Sequence, residues 1–230
     1  MELTDQQKKE IAEQQSQKNT TKRATSPELE KMLYHATNGR MGPVVMDLPD
    51  DLQREDVDPD DLEPFVSEKF QSNIDVDQID QTLDLIRSSQ RPVIIVGGGV
   101  KIGRVEASTY EFLKKSGLPY IATWATMDLF RDDEPNFAGS FGVSSTRPGN
   151  FVVQNSDLII SLGSRLDTHE VGSNASKFAP LAKKIVIDID DSELSKDNGM
   201  ITDVKFCCDL KDFLEVMNPK QLQTQDLEPW

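Results

Sequence analysis

Three short stretches carry the residues whose types and spacing suit chemistry. Gly97-Gly98-Gly99, with Gly103 beyond, closes an apolar run; without side chains, backbone N–H groups there can approach a phosphate at a helix start. Gly163-Ser164-Arg165-Leu166-Asp167 closes a second run. Arg165 suits a phosphate or carboxylate, and Asp167 is expected either to hold Arg165 or to accept from a ligand hydroxyl. Asp188-Ile189-Asp190 closes a third; a carboxylate at a strand end suits a ribose, while Asp191 or Ser192 is expected to cap the helix that follows. His35 sits in an apolar-striped segment and His169 in a polar loop, and neither has a Ser or Cys nucleophile in a strand–turn–helix elbow. Cys207 and Cys208 are adjacent inside an apolar run, where no disulfide framework forms and no metal-ligand spacing exists, so both read as reduced strand residues.

Composition narrows the partners. Asp and Glu total 40 against 25 Lys and Arg, a net charge of −15, which repels phosphate backbones and anionic lipid. Nucleic acid and membrane surfaces are therefore not expected partners. No run approaches the about 20 apolar residues of a membrane span, and MELTDQQKKE has no apolar stretch of a signal peptide. The expectation is a soluble, cytoplasmic chain.

The elements that must position these residues alternate regularly. Residues 1–25, nearly devoid of large apolar side chains, read as a disordered tail. Ser26 caps and Pro27 opens a helix with Leu29, Met32, Leu33 and Ala36 on one stripe, and GPVVMDLP (Gly42–Pro49) reads as a short buried strand. From Asp47 to Glu63 nine residues are acidic and one is basic, with Pro49 and Pro59 among them; the segment 54–76 reads as an extended acidic linker. From about Asp77 apolar strands alternate with helices: strands at Pro92–Gly99, Leu118–Thr123, Asp157–Gly163, Lys183–Asp190 and Val204–Cys208, and helices at Ile79–Ile86, Val105–Ser116, Pro148–Asn155 and Leu210–Met217. A short sixth strand is expected near Phe137. Such a pattern predicts an α/β fold with a Rossmann-like parallel sheet of five or six strands, covered on both faces. Ligands on such sheets bind at the carboxyl ends of the strands, across the point where strand order reverses. Yet the glycines are spaced G-x-G-x-x-x-G, and the second strand ends at Thr123 with no acidic residue to hold a ribose, so a nicotinamide-dinucleotide site is disfavoured.

The ordered set GRMGPVVMDLPDDLQ, RPVIIVGGGV, GLPYIATWATMDLF, GSFG, NSDLIISLGSRLD, KKIVIDIDDSEL and CCDL resembles the thiamine-diphosphate-dependent enzymes of the acetolactate synthase type. The resemblance implies three domains in the parent enzyme, of which 26–53 is a remnant of the pyrimidine-binding domain, 77–218 the complete Rossmann-like middle domain, and 219–230 a linker toward the third. It implies a parent that decarboxylates a 2-keto acid and transfers the carbanion to a carbonyl acceptor, using thiamine diphosphate and magnesium. The family's activating glutamate lies early in the pyrimidine domain and its magnesium motif Gly-Asp-Gly in the third; no Gly-Asp-Gly occurs among these 230 residues. The chain alone is thus expected to be inactive, a fragment of a split or truncated gene whose partners are the missing domains or further copies of itself. The family's middle domain holds FAD, ADP or nothing. Carried over by motif, the nucleotide-facing positions are Gly98, Gly99, Thr123, Gly142, Gly163, Arg165, Asp167, Asp188, Ile189 and Asp209. Phe141 stands where flavin-binding members have a histidine and His169 where they have an arginine, which predicts weak flavin binding or a smaller nucleotide. A stand-alone nucleotide-binding module without catalysis is the alternative; a downstream reading frame carrying Gly-Asp-Gly would discriminate the two.

Overall fold

The computed structural model describes residues 27–54, 70–220 and the positions 56, 58, 60, 62, 64–67 and 222. The expected tail over 1–25, the Ser26 cap and all but three positions of the 219–230 linker lie outside the described residues. The chain divides into two units, Met1–Phe70 and Gln71–Trp230.

In the first unit, helix α1 covers residues 27–37, and Gly39 at φ 61° turns the chain out of it. The expected strand at Gly42–Pro49 does not form: residues 41–49 carry no ladder, and Val45 is 93% exposed. The reason is physical, since an apolar run becomes a strand only when a neighbour takes up its N–H and C=O groups, and the described residues of this unit supply none. Instead of a wholly extended connector, Asp50–Gln53 forms one helical turn, α2, after Pro49, with Asp50 and Asp51 favourably placed at its start.

The second unit begins before the helical periodicity does. Ser72 donates to Asp212 and accepts from the Asp209 N–H, so these residues belong to the sheet unit rather than to a free linker. Asp75 caps helix α3 (Val76–Ser88) through the Asp77 N–H. Then follow β1 (Pro92–Val96), α4 (Gly99–Ile102), α5 (Glu106–Ser116), β2 (Tyr120–Ala122), β3 (Phe137–Ser140), α6 (Arg147–Asn155), β4 (Leu158–Leu162), α7 (Thr168–Val171), β5 (Lys183–Asp188), α8 (Asp191–Ser195), β6 (Val204–Cys207) and α9 (Leu210–Met217). The six strands are parallel in the order β3-β2-β1-β4-β5-β6. The order reverses between β1 and β4, the usual ligand crevice of an open α/β sheet.

Why the strands read as unbroken apolar runs is visible in their burial. All of Pro92–Val96 and Leu158–Leu162 is buried; Ile94 and Val96 pack with Phe112, Phe206 and Phe213 on one face, Val93 and Ile95 with Val153, Leu166 and Phe178 on the other. Each fully buried Ile or Phe contributes about 1.5–3 kcal/mol, so the sheet is the rigid base of everything at its rim.

Candidate functional site

Strand register aligns the rim. Val96 pairs with Ala122 and with Leu162, Leu162 with Ile187, and Asp188 with Cys207. The next residues, Gly97, Thr123, Gly163 and Asp188, therefore form one row across the carboxyl edge, continued by Phe141 after β3. All ten sequence-selected residues lie on or just beyond this row, but they do different things.

The glycines form a seam. A Cβ at Gly97 would lie 2.4 Å from the Gly163 carbonyl oxygen, and one at Gly99 2.9 Å from the Gly163 Cα. The Gly99 N–H donates to the Gly163 carbonyl at 2.9 Å, so this amide is taken by the protein itself. Gly163, at φ 60°, has the left-handed conformation glycine favours. The seam leaves the Gly98 and Arg165 N–H groups without a protein acceptor among the described residues.

The charged residues correct one pairing and one cap. Arg165 pairs not with Asp167 but with Glu193 of α8, at 2.8 Å from Nε and 2.6 Å from Nη2, and Glu193 also holds Lys196 at 3.1 Å. Asp167 is instead the cap of α7, accepting from the His169 N–H at 2.8 Å. The cap of α8 is Asp190, which accepts from the Ser192 N–H, rather than Asp191 or Ser192. A cap is the residue before the first helical one, and the strand ends two residues earlier than the apolar run, at Asp188. Asp209 caps α9 through the Lys211 N–H. Asp188, 8% exposed, accepts from the Asp190 N–H. Beside it lies a small recess whose walls include Ser164, Arg165, Asp188, Glu193, Lys196 and Lys205, where Arg165 and Lys196 both pair with Glu193.

On the other side of the crevice the loop after β4 crosses toward β3. The Val143 N–H donates to the His169 carbonyl at 2.8 Å, and a Cβ at Gly142 would lie 2.8 Å from that same oxygen. Leu166, buried and held at φ 48°, marks how firmly this strap is set. Glu170 fastens it: its carboxylate accepts from the Ser164 hydroxyl, burial pushes its pKa up, and the Ser164 hydroxyl and the Leu166 and Asp167 N–H groups act against that rise. Sequence reasoning missed Glu170, although Asp167-x-x-Glu170 has the spacing of a capping box. It also missed Glu193 and Lys196, whose i,i+3 spacing was the available signal. Trp124, after β2, brings its ring to 6.2 Å from that of His169.

Burial pushes the Cys208 thiol up to about 12 and the Cys207 thiol upward, with neighbouring carboxylates adding to both, so both stay protonated and inert. His35 belongs to the first unit. Among the described residues no group of three or more His, Cys, Asp or Glu is placed to hold a metal ion, and no helix is long and apolar enough to cross a membrane.

A doubly wound parallel sheet whose strand order reverses between β1 and β4 defines a Rossmann-like domain. Residues 79–217 match the family described as thiamine pyrophosphate enzyme, central domain, and the chain belongs to that family. It is 33% identical over 162 residues to the acetolactate synthase isozyme 2 large subunit of Escherichia coli (strain K12), covering 70% of this chain and 29% of that protein. It is 29% identical over 213 residues to the acetolactate synthase large subunit of Haemophilus influenzae, covering 88% and 36%. A probable acetolactate synthase large subunit of Methanocaldococcus jannaschii is 31% identical over 210 residues, covering 85% and 34%. The chain thus spans about a third of the length of these relatives.

Proposed function

We propose that this chain supplies the middle domain of an acetolactate-synthase-like enzyme, and that this domain holds a nucleotide at the carboxyl edge of its sheet. In this reading the parent enzyme decarboxylates a 2-keto acid and joins the product to a carbonyl acceptor, with thiamine diphosphate and magnesium bound by other domains.

The observation that carries the nucleotide reading is the pair of Gly98 and Arg165 N–H groups, unpaired among the described residues and placed after β1 and β4, on the two sides of the strand-order reversal. Such donors suit a phosphate oxygen, and Asp188, at the row's next strand, suits a ribose hydroxyl. Residues that fit an adenine nucleotide are therefore Gly98, Gly163, Arg165, Asp188 and Ile189. They bind and orient; none is a catalytic group.

Thermal denaturation of the full 230-residue chain with ligands tests both halves of the proposal. ADP is expected to raise the melting temperature saturably, since a ligand that binds only the folded state stabilises it by mass action. Thiamine diphosphate with magnesium is expected to leave it unchanged. A saturable shift with thiamine diphosphate, or none with ADP, contradicts the corresponding half.

A further inference from the structure

Between α4, α5 and the segment after β2 lies a cavity of about 380 Å³, whose walls include Val100, Glu106, Thr109, Tyr110, Leu129 and Phe130. None of the ten nucleotide-facing positions lines it, and its volume falls in the range of small-ligand clefts, about 300–1,000 Å³. Its apolar wall belongs to the core: Val100 is fully buried, and Leu129 and Phe130 pack against the same cluster. The two aromatic walls are set in place without a ligand. Tyr110 bonds through its hydroxyl to Glu134, which also accepts from the Tyr120 hydroxyl at 2.9 Å, and the Phe130 ring lies 5.0 Å from that of Tyr120 and 5.2 Å from that of Phe137.

Two polar residues of this lining are left without a partner among the described residues. Thr109 is 1% exposed, and its hydroxyl makes no hydrogen bond, an uncommon state for a buried polar atom. Glu106, the one charged residue of the lining, has no ion pair or hydrogen bond for its carboxylate; nearby Lys101 is committed to Asp128 at 2.9 Å. Glu106 and Thr109 are three residues apart on α5 and so share one side of it. An anion would be repelled by this carboxylate and by the chain's net charge of −15, and a wholly apolar ligand would shield the carboxylate from water and give it nothing in return.

We propose that this cavity binds a small organic cation, a primary ammonium carried on an apolar body, with the ammonium paired to Glu106 and the body against Leu129, Tyr110 and Phe130. The ammonium has three donors, enough to serve the Glu106 carboxylate and the Thr109 hydroxyl together. Faces of Tyr110 and Phe130 add attraction for a cation held near them, and the preset walls lower the ordering cost of binding. The proposal is independent of the nucleotide reading above.

Amide chemical shifts of the full chain, followed by NMR during titration with phenethylammonium, phenethyl alcohol and hydrocinnamate, test it, since the three probes share an aromatic body and differ in charge. Phenethylammonium is expected to bind saturably at about millimolar affinity or better, shifting Val100, Glu106–Tyr110 and Leu129–Phe130. The alcohol is expected to bind about fivefold more weakly and hydrocinnamate not at all. Glu106→Gln, at a half-exposed position, should bring phenethylammonium down about fivefold to the level of the alcohol and leave alcohol binding unchanged. If that variant fails to fold, added salt reads the same contact, weakening the ammonium and not the alcohol. No saturable shift at these residues, equal affinity for ammonium and alcohol, or ammonium binding indifferent to both Glu106→Gln and salt overturns the proposal.

Discussion

The β4–β5–β6 rim and the β1–β2–β3 rim share one sheet and one register, yet one ends in charged side chains paired around Glu193 and the other in the Gly142–Val143 turn, bonded to the loop after β4. The difference comes from where the loop after β4 goes. It leaves Arg165 behind to face Glu193 and then spends its length reaching the Gly142–Val143 turn. Ligand capacity at such an edge is set by which donors the protein leaves unpaired, more than by which residue types stand there.

The largest way to break the comparison is at the seam that both rims share. Gly97→Ala would drive a methyl group to 2.4 Å from the Gly163 carbonyl, and because backbone must move on both sides the expected loss is about 3 kcal/mol or more of stability, read by denaturant unfolding. A comparable loss is expected of Gly149→Ala, whose Cβ would lie 1.9 Å from the Ser140 carbonyl oxygen; it should loosen β3 first, and hydrogen exchange in β3 would report that. Asp209→Ala removes the α9 cap and should cost about 1 kcal/mol with little effect on ADP binding, separating capping from ligand contact among the acidic residues. The smallest effect concerns the strap. The folded-state pKa of Glu170 lies above its usual 4.5, so the folded chain binds this proton more tightly than the unfolded one. Its contribution to stability is therefore most favourable below 4.5 and declines as pH rises through the folded value. Glu170→Gln is expected to flatten that part of the stability profile, measured as denaturation midpoint against pH.

Much of this architecture was legible in the residues. Unbroken apolar runs such as Val93–Val96 and Ile159–Leu162 announce strands buried on both faces, and Gly117, at φ 63°, closes α5 where the periodicity stops. Even the short strand at Phe137–Ser140 fell where expected. The run Val44–Val45 misled because strand formation is a property of a pair, and no partner accompanies it among the described residues of its unit. At the rim, residue type and spacing found the positions but not the partners. Arg165 reaches Glu193, 28 residues away, and the strap's closure depends on the His169 carbonyl, a group every residue possesses. Backbone hydrogen bonds of this kind leave no trace in side-chain identity, which is why the unequal rims emerge only in three dimensions.

The most direct test of the account is a calorimetric titration of ADP into the full chain and into Arg165→Ala. The account predicts saturable binding to the unaltered chain, weakened at least about tenfold in the variant. Equal ADP affinity in the two proteins, or no binding to either, would contradict it.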